Sequence, residues 1–110
     1  MSLPIHLFNV TAISAVSMEA DITSASYNID SATVVAVQWI YSGAGSETGD
    51  LIVQGSNNNS TFSTIDTTSI TTDGNKMVNL PNPGYSWVRL FWDRTSGTGT
   101  LTATINAKRG

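Results

Sequence analysis

Gly99-Thr-Leu-Thr-Ala-Thr-Ile-Asn-Ala107 alternates without a break: Leu101, Ala103, Ile105 and Ala107 fall on one parity, Thr100, Thr102, Thr104 and Asn106 on the other. Successive side chains of an extended chain point to opposite faces, so a period of two marks a strand with one buried face. The pattern recurs upstream. Val16, Met18, Ala20 and Ile22 alternate with Ser17, Glu19, Asp21 and Thr23, which predicts a second one-sided strand. Ala25, Tyr27 and Ile29 continue it after a bend.

Residues 33–41 are the most hydrophobic stretch, with Val35, Val37, Trp39 and Tyr41 on one face and Val34, Ala36, Gln38 and Ile40 on the other. Apolar residues on both parities predict a central strand covered on both faces. Residues 42–50, with Gly43, Gly45 and Gly49, read as a loop, and residues 51–56 as a strand with Leu51 and Val53 inward. Gly55-Ser-Asn-Asn-Asn-Ser60 reads as a tight polar turn, because Asn and Gly tolerate positive φ. Phe62 and Ile65 lie three apart, which predicts a bulge or change of face. Asp73-Gly74 signals a hairpin into residues 77–80, and Pro81-Asn-Pro83-Gly84 stops that strand. In residues 85–92, Val88, Leu90 and Trp92 take one face and Tyr85, Trp87, Arg89 and Phe91 the other. Thr95-Ser-Gly-Thr-Gly99 makes the last turn. No stretch has helical periodicity. Short strands separated by Gly and Asn turns predict an all-β chain, a single antiparallel β-sandwich of jelly-roll-like type over residues 1–110. Residues 1–10, with Pro4 early, are expected to form a short N-terminal arm.

Charged residues make up 12% of the chain, against about 25% for globular proteins at large. Their place is taken by 14 Ser and 15 Thr, so the surface is solvated by hydroxyls and amides. There is no Cys, which excludes disulfides, thiolate nucleophiles and thiolate metal sites. The net charge is −3 with five Lys and Arg, too few cations for a phosphate-binding surface. The beginning Met-Ser-Leu-Pro-Ile-His lacks the basic start and apolar run of a signal peptide, and no apolar stretch is long enough to span a bilayer. No nucleic-acid or membrane partner is expected.

Catalytic patterns are equally scarce. The single His6 has no Gly-x-Ser-x-Gly partner, so a nucleophilic triad lacks its base. Glu47 and Asp50 share a Gly-rich loop but fit no calcium-binding spacing, and Gly43-Ala-Gly45 is not followed by the third glycine of a dinucleotide fingerprint. No metal, no cofactor and no enzymatic activity is expected. Trp87, Arg89 and Phe91 project together from one strand. Three readings apply to them: a second buried layer with Arg89 reaching the rim, a subunit interface, and a platform for stacking sugars.

Two blocks carry a resemblance. The first is Gln38-Trp39 through Gly49-Asp-Leu-Ile-Val-Gln-Gly-Ser-Asn57, then Phe62-Ser-Thr-Ile65; the second is Tyr85-Ser-Trp-Val-Arg-Leu90 followed by Thr95-Ser-Gly-Thr-Gly-Thr-Leu-Thr-Ala-Thr-Ile105. Together they resemble small structural proteins of tailed bacteriophages and related bacterial viruses. The Val-Gln-Gly-Ser-Asn…Phe…Ile element and the Val-Arg-Leu strand are also similar to discoidin-like β-sandwiches. The chain is shorter than a typical discoidin domain and lacks its paired cysteines, so none of that family's binding residues is carried over.

The resemblance implies a non-enzymatic structural protein located in the virion: a capsid decoration (cement) or head-fibre component. Its partners would be capsid or other virion proteins and further copies of itself, as a dimer or trimer; on the interface reading of their residue types, Trp87, Arg89 and Phe91 are the expected subunit contact. The alternative is a carbohydrate- or receptor-binding β-sandwich module. Its ligand-facing loops would be Asn57, Asn58 and Asn59 together with Trp92, Asp93 and Arg94, provided that the two loops converge.

Overall fold

The computed structural model describes residues 5–42, 48–71 and 74–109, and residues 5 and 6 by their backbone alone. Among the described residues nine strands follow one another: β1 (Ile5–Ser17), β2 (Ile22–Thr23), β3 (Tyr27–Asn28), β4 (Val34–Ser42), β5 (Thr48–Ser56), β6 (Ser63–Ile70), β7 (Gly74–Pro81), β8 (Trp87–Ser96) and β9 (Thr100–Arg109). They pair antiparallel into two sheets, one in the order β1-β9-β4-β7, the other in the order β2-β8-β5-β6 with β3 also pairing β8. The chain changes sheet at most connections. This is the strand order of a jelly-roll sandwich, the fold class the sequence predicts.

Alternation translates directly into burial. Leu101, Ala103, Ile105 and Ala107 of β9 have no exposed surface, nor do Val35, Val37 and Trp39 of β4, Leu51 and Val53 of β5, or Val88, Leu90 and Trp92 of β8. Each large side chain so buried contributes roughly 1.5–3 kcal/mol. Register explains the small residues: Trp39 lies opposite Ala103 and Val35 opposite Ala107. A bulky indole beside a methyl keeps the layer at interior packing density.

Three expectations are corrected. β4 is central, between β9 and β7, but its outer face is only partly covered: Val34, Ala36 and Gln38 are half-buried and Ile40 is 46% exposed. In-sheet neighbours flank a strand without hiding its outer face, and no third layer lies there among the described residues. Residues 16–23 are not one strand: β1 ends at Ser17 and β2 begins at Ile22, with Val16 exposed and Met18 fully buried. The break falls at the turn of residues 18–20, where the Met18 N–H donates to Gly99 O at 2.9 Å. Just before it, β1 carries a register shift between Ile13 and Val16 around Ala15, whose φ is 48° and whose N–H donates to Thr102 Oγ1 at 3.1 Å. The expected arm is also replaced, over its described part, by an edge strand: residues 5–10 pair with β9, from Ile5 opposite Arg109 to Val10 opposite Ile105.

The expected bulge near Phe62 is present, since Asp66 faces Val53 and Thr64 faces Gln54, leaving Ile65 unpaired between them. The loop expected over residues 42–50 is shorter, because β5 already begins at Thr48; Gly43, Gly45 and Glu47 lie outside the described residues. Gly74 opens β7 as the hairpin signal requires, and its partner Asp73 also lies outside them.

Candidate functional site

With Val88, Leu90 and Trp92 buried, the opposite parity of β8 turns Trp87, Arg89 and Phe91 to the outer face of their sheet, where all three are half-buried. They form a partly exposed strip, not a fully buried second layer. Register sets Arg89 opposite Gln54 and Phe91 opposite Ile52 on β5, and Trp87 opposite Asn28 on β3. Arg89 Nε donates to Gln54 Oε1 at 2.7 Å, and the guanidinium carbon lies 4.1 Å from the centroid of the Phe62 ring. A hydrogen bond on the strand and a cation–π contact from the turn hold this long side chain flat and oriented. Among the described residues no carboxylate pairs with it.

At the end of the same sheet, where β5 runs out into residues 57–62, a pocket of about 340 Å³ opens. Its lining joins the end of β5 (Gly55, Ser56), the turn (Asn57, Asn58, Thr61), the start of β6 (Ser63, Ile65) and Tyr85 ahead of β8. Gly55 makes this possible. It holds the inward parity of Leu51 and Val53, but a Cβ there would come within 2.8 Å of the Tyr85 ring and 3.1 Å of Ile65. The ring therefore packs against bare backbone. Asn58 fixes the turn: its Oδ1 accepts from the Ser56 hydroxyl, the Ser60 N–H and the Thr61 N–H, each at 2.9 Å. Two backbone donors on one atom identify it as the oxygen, which leaves the Nδ2 group as the free end of the amide. Asn59 supports the bend with φ of 56°. Partial burial raises the Tyr85 pKa above its ordinary 10.0, so the phenol stays a neutral donor across the physiological range.

Asn57 and Asn58 thus line a pocket, but not with Trp92, Asp93 and Arg94. Along the β5–β8 pair Ser56 faces Trp87 whereas Asp50 faces Asp93, so the two groups lie at opposite ends, roughly 20 Å apart at about 3.3 Å per residue. Trp92 is fully buried and its Nε1 donates to Met18 O at 3.3 Å; Arg94 is held by Gly97 O through Nε and Nη2, and its backbone N–H by Asp21 Oδ1. Of Trp92, Asp93 and Arg94, Asp93 alone is exposed. Convergence fails because an antiparallel pair separates its two ends by its whole length.

Tyr85, Ser56, Thr61, Ser63 and Ile65 are the pocket residues that pattern reading missed. Their signal in the sequence is Gly55, a glycine on the inward parity of a strand, which marks the close approach of another group.

A smaller hollow of about 130 Å³ lies on the outer face of the other sheet, lined by Asn9, Ala36, Gln38, Met77, Thr104 and Asn106. Among the described residues no three acidic or histidine side chains cluster as metal ligands; Asp50 Oδ1 accepts from Ser69 Oγ at 2.7 Å, and Glu47 lies outside them.

No family model and no curated protein sequence matches the chain. Its fold is similar to that of solved structures. The SPBc2 prophage-derived protein YomS superposes with a TM-score of 0.72 at 12% identity, over 98% of this chain and 96% of that one. The VP2 subviral particle of infectious bursal disease virus gives 0.61 at 14% identity, over 96% of this chain and 32% of that one. A Bacillus endospore appendage that forms disulfide-linked pili gives 0.51 at 11% identity, over 98% of this chain and 88% of that one. At these identities the likeness is one of architecture: the chain is an all-β sandwich whose fold is shared by a prophage-derived protein and by about a third of a viral VP2 chain.

Proposed function

We propose that the chain is a non-enzymatic virion structural protein, a capsid decoration (cement) or head-fibre component that binds neighbouring capsid subunits through the outer face of β8. The observation that carries this reading is the strip of Trp87, Arg89 and Phe91, three large side chains side by side and partly exposed on the outer face of one strand. Trp, Phe and Arg are the residues that anchor protein interfaces. Arg89, already oriented by Gln54 and Phe62, gives up little conformational freedom on binding. The molecule's two longer extents, 45 and 30 Å, accommodate a standard interface of roughly 800 Å² per partner. Similarity of fold to a prophage-derived protein and to the VP2 of a viral subviral particle supports the same reading. The mechanism is mass action: many weak clasps between neighbours oppose the internal pressure of a filled shell.

The test is co-sedimentation of the purified protein with capsids that lack it. Trp87→Ser/Phe91→Ser is expected to lose binding at least tenfold with an unchanged far-UV spectrum, and equal binding by the variant overturns the assignment of this face. Light scattering then reads whether free subunits are dimers or trimers. A second reading, the carbohydrate- or receptor-binding module, draws on the pocket between Gly55, Asn58 and Tyr85 and concerns that pocket alone.

A further inference from the structure

We infer that the pocket at the end of β5 binds a neutral saccharide, whose ring packs against Tyr85 and Ile65 and whose hydroxyls meet the turn of residues 57–61. This rests on the binding-module reading and is independent of the assembly reading.

Charge sets the class of ligand. The lining residues Gly55, Ser56, Asn57, Asn58, Thr61, Ser63, Ile65 and Tyr85 include no acid, no base and no imidazole. An ion entering such a site sheds water without gaining a counter-charge, which disfavours phosphates, carboxylates and cations alike. A purely apolar ligand is disfavoured for the converse reason. It would cover the amides of Asn57 and Asn58 and the hydroxyls of Thr61, Ser63 and Tyr85 without satisfying them.

What remains is a molecule with many groups that both donate and accept, together with a patch of C–H. A pyranose has this composition. The Asn57, Thr61 and Ser63 side chains and the Tyr85 hydroxyl have no hydrogen-bond partner among the described residues, so their capacity is available. The Asn58 Nδ2 group adds two donors, because its Oδ1 is already taken by Ser56, Ser60 and Thr61. Tyr85 and Ile65 supply the apolar surface for the C–H face.

Shape and rigidity agree with chemistry. A pocket of about 340 Å³ lies at the lower end of the roughly 300–1,000 Å³ usual for small-molecule sites, enough for a mono- or disaccharide. The site is preformed: Gly55 lets the ring settle on the strand, and Asn58 braces the turn from within, so little ordering is left to binding.

The experiment is an amide NMR titration of the whole chain with maltose, cellobiose, lactose and diacetylchitobiose as separate probes. At least one probe is expected to give saturable shifts confined to residues 55–63 and Tyr85. Tyr85→Ala is expected to weaken that binding at least tenfold, and Thr61→Trp to abolish it. Thr61 is exposed, so an indole there blocks the mouth while the rest of the spectrum stays native; this second variant keeps the test valid if Tyr85→Ala fails to fold. Saturable shifts elsewhere overturn the pocket but keep a carbohydrate-binding module. No saturable shift with any of the four probes overturns the saccharide itself.

Discussion

Both ends of the β5–β8 pair seat an aromatic ring against a strand glycine, yet one end is sealed and the other is open. At the sealed end a Cβ on Gly49 would come within 2.7 Å of the Trp92 ring and closer still to the Asp93 carbonyl. Trp92 has no exposed surface and its Nε1 is bonded to Met18 O. At the open end Tyr85 rests on Gly55 in the same way, but it is only half-buried and borders the pocket. The same local device therefore serves two purposes. Where a neighbouring segment, here Met18, covers the ring, the glycine closes the core; where a polar turn stands off from it, the glycine leaves a hollow.

The contrast breaks most severely at Trp92. Trp92→Ala should cost about 3–5 kcal/mol, a large share of the roughly 5–15 kcal/mol that holds a domain together. Tyr85→Ala should cost less than half as much, since less of its surface leaves water on folding; urea unfolding compares the two directly. Equal losses would show that the open end is as much core as the sealed one.

The glycines sharpen the difference at smaller scale. Gly49→Ala pushes a methyl into backbone as well as ring and should cost about 2–3 kcal/mol, within the range for overpacked sites. Gly55→Ala meets side chains alone, and the half-exposed Tyr85 ring can swing away, so about 1 kcal/mol is expected. Thermal melts of the two variants read this ordering, and the reverse ordering would contradict it.

The smallest effect is in alkaline solution. Burial holds the Tyr85 pKa above 10.0 in the folded state, so as pH rises past that value the unfolded chain ionises first. The stability linked to Tyr85 is intact below pH 10 and is lost as pH climbs through the folded pKa. Tyr85→Phe should flatten this part of the stability–pH curve; an unchanged slope would place the ring in water.

Much of this was legible from residue order. The parities of Leu101, Ala103, Ile105 and Ala107, of Val35, Val37 and Trp39, and of Val88, Leu90 and Trp92 all match the buried faces, because the pleat alternates side chains whatever the partner strand. The outward strip of Trp87, Arg89 and Phe91 follows from the same rule. Val16 departs from it: opposite the buried Leu101, it is nevertheless exposed, on an edge strand just past the bulge at Ala15.

The sequence by itself thus determined the class of fold, the inward faces and most turns, since each depends on neighbours within a few residues. Only the tertiary structure decided that residues 5–10 add an edge strand to β9 and that Asn57 and Trp92 belong to opposite ends of the sandwich. It also decided that Tyr85 comes to rest on Gly55. Those facts depend on which strands pair and in what register, and such pairings join residues far apart in the chain, where alternation carries no information.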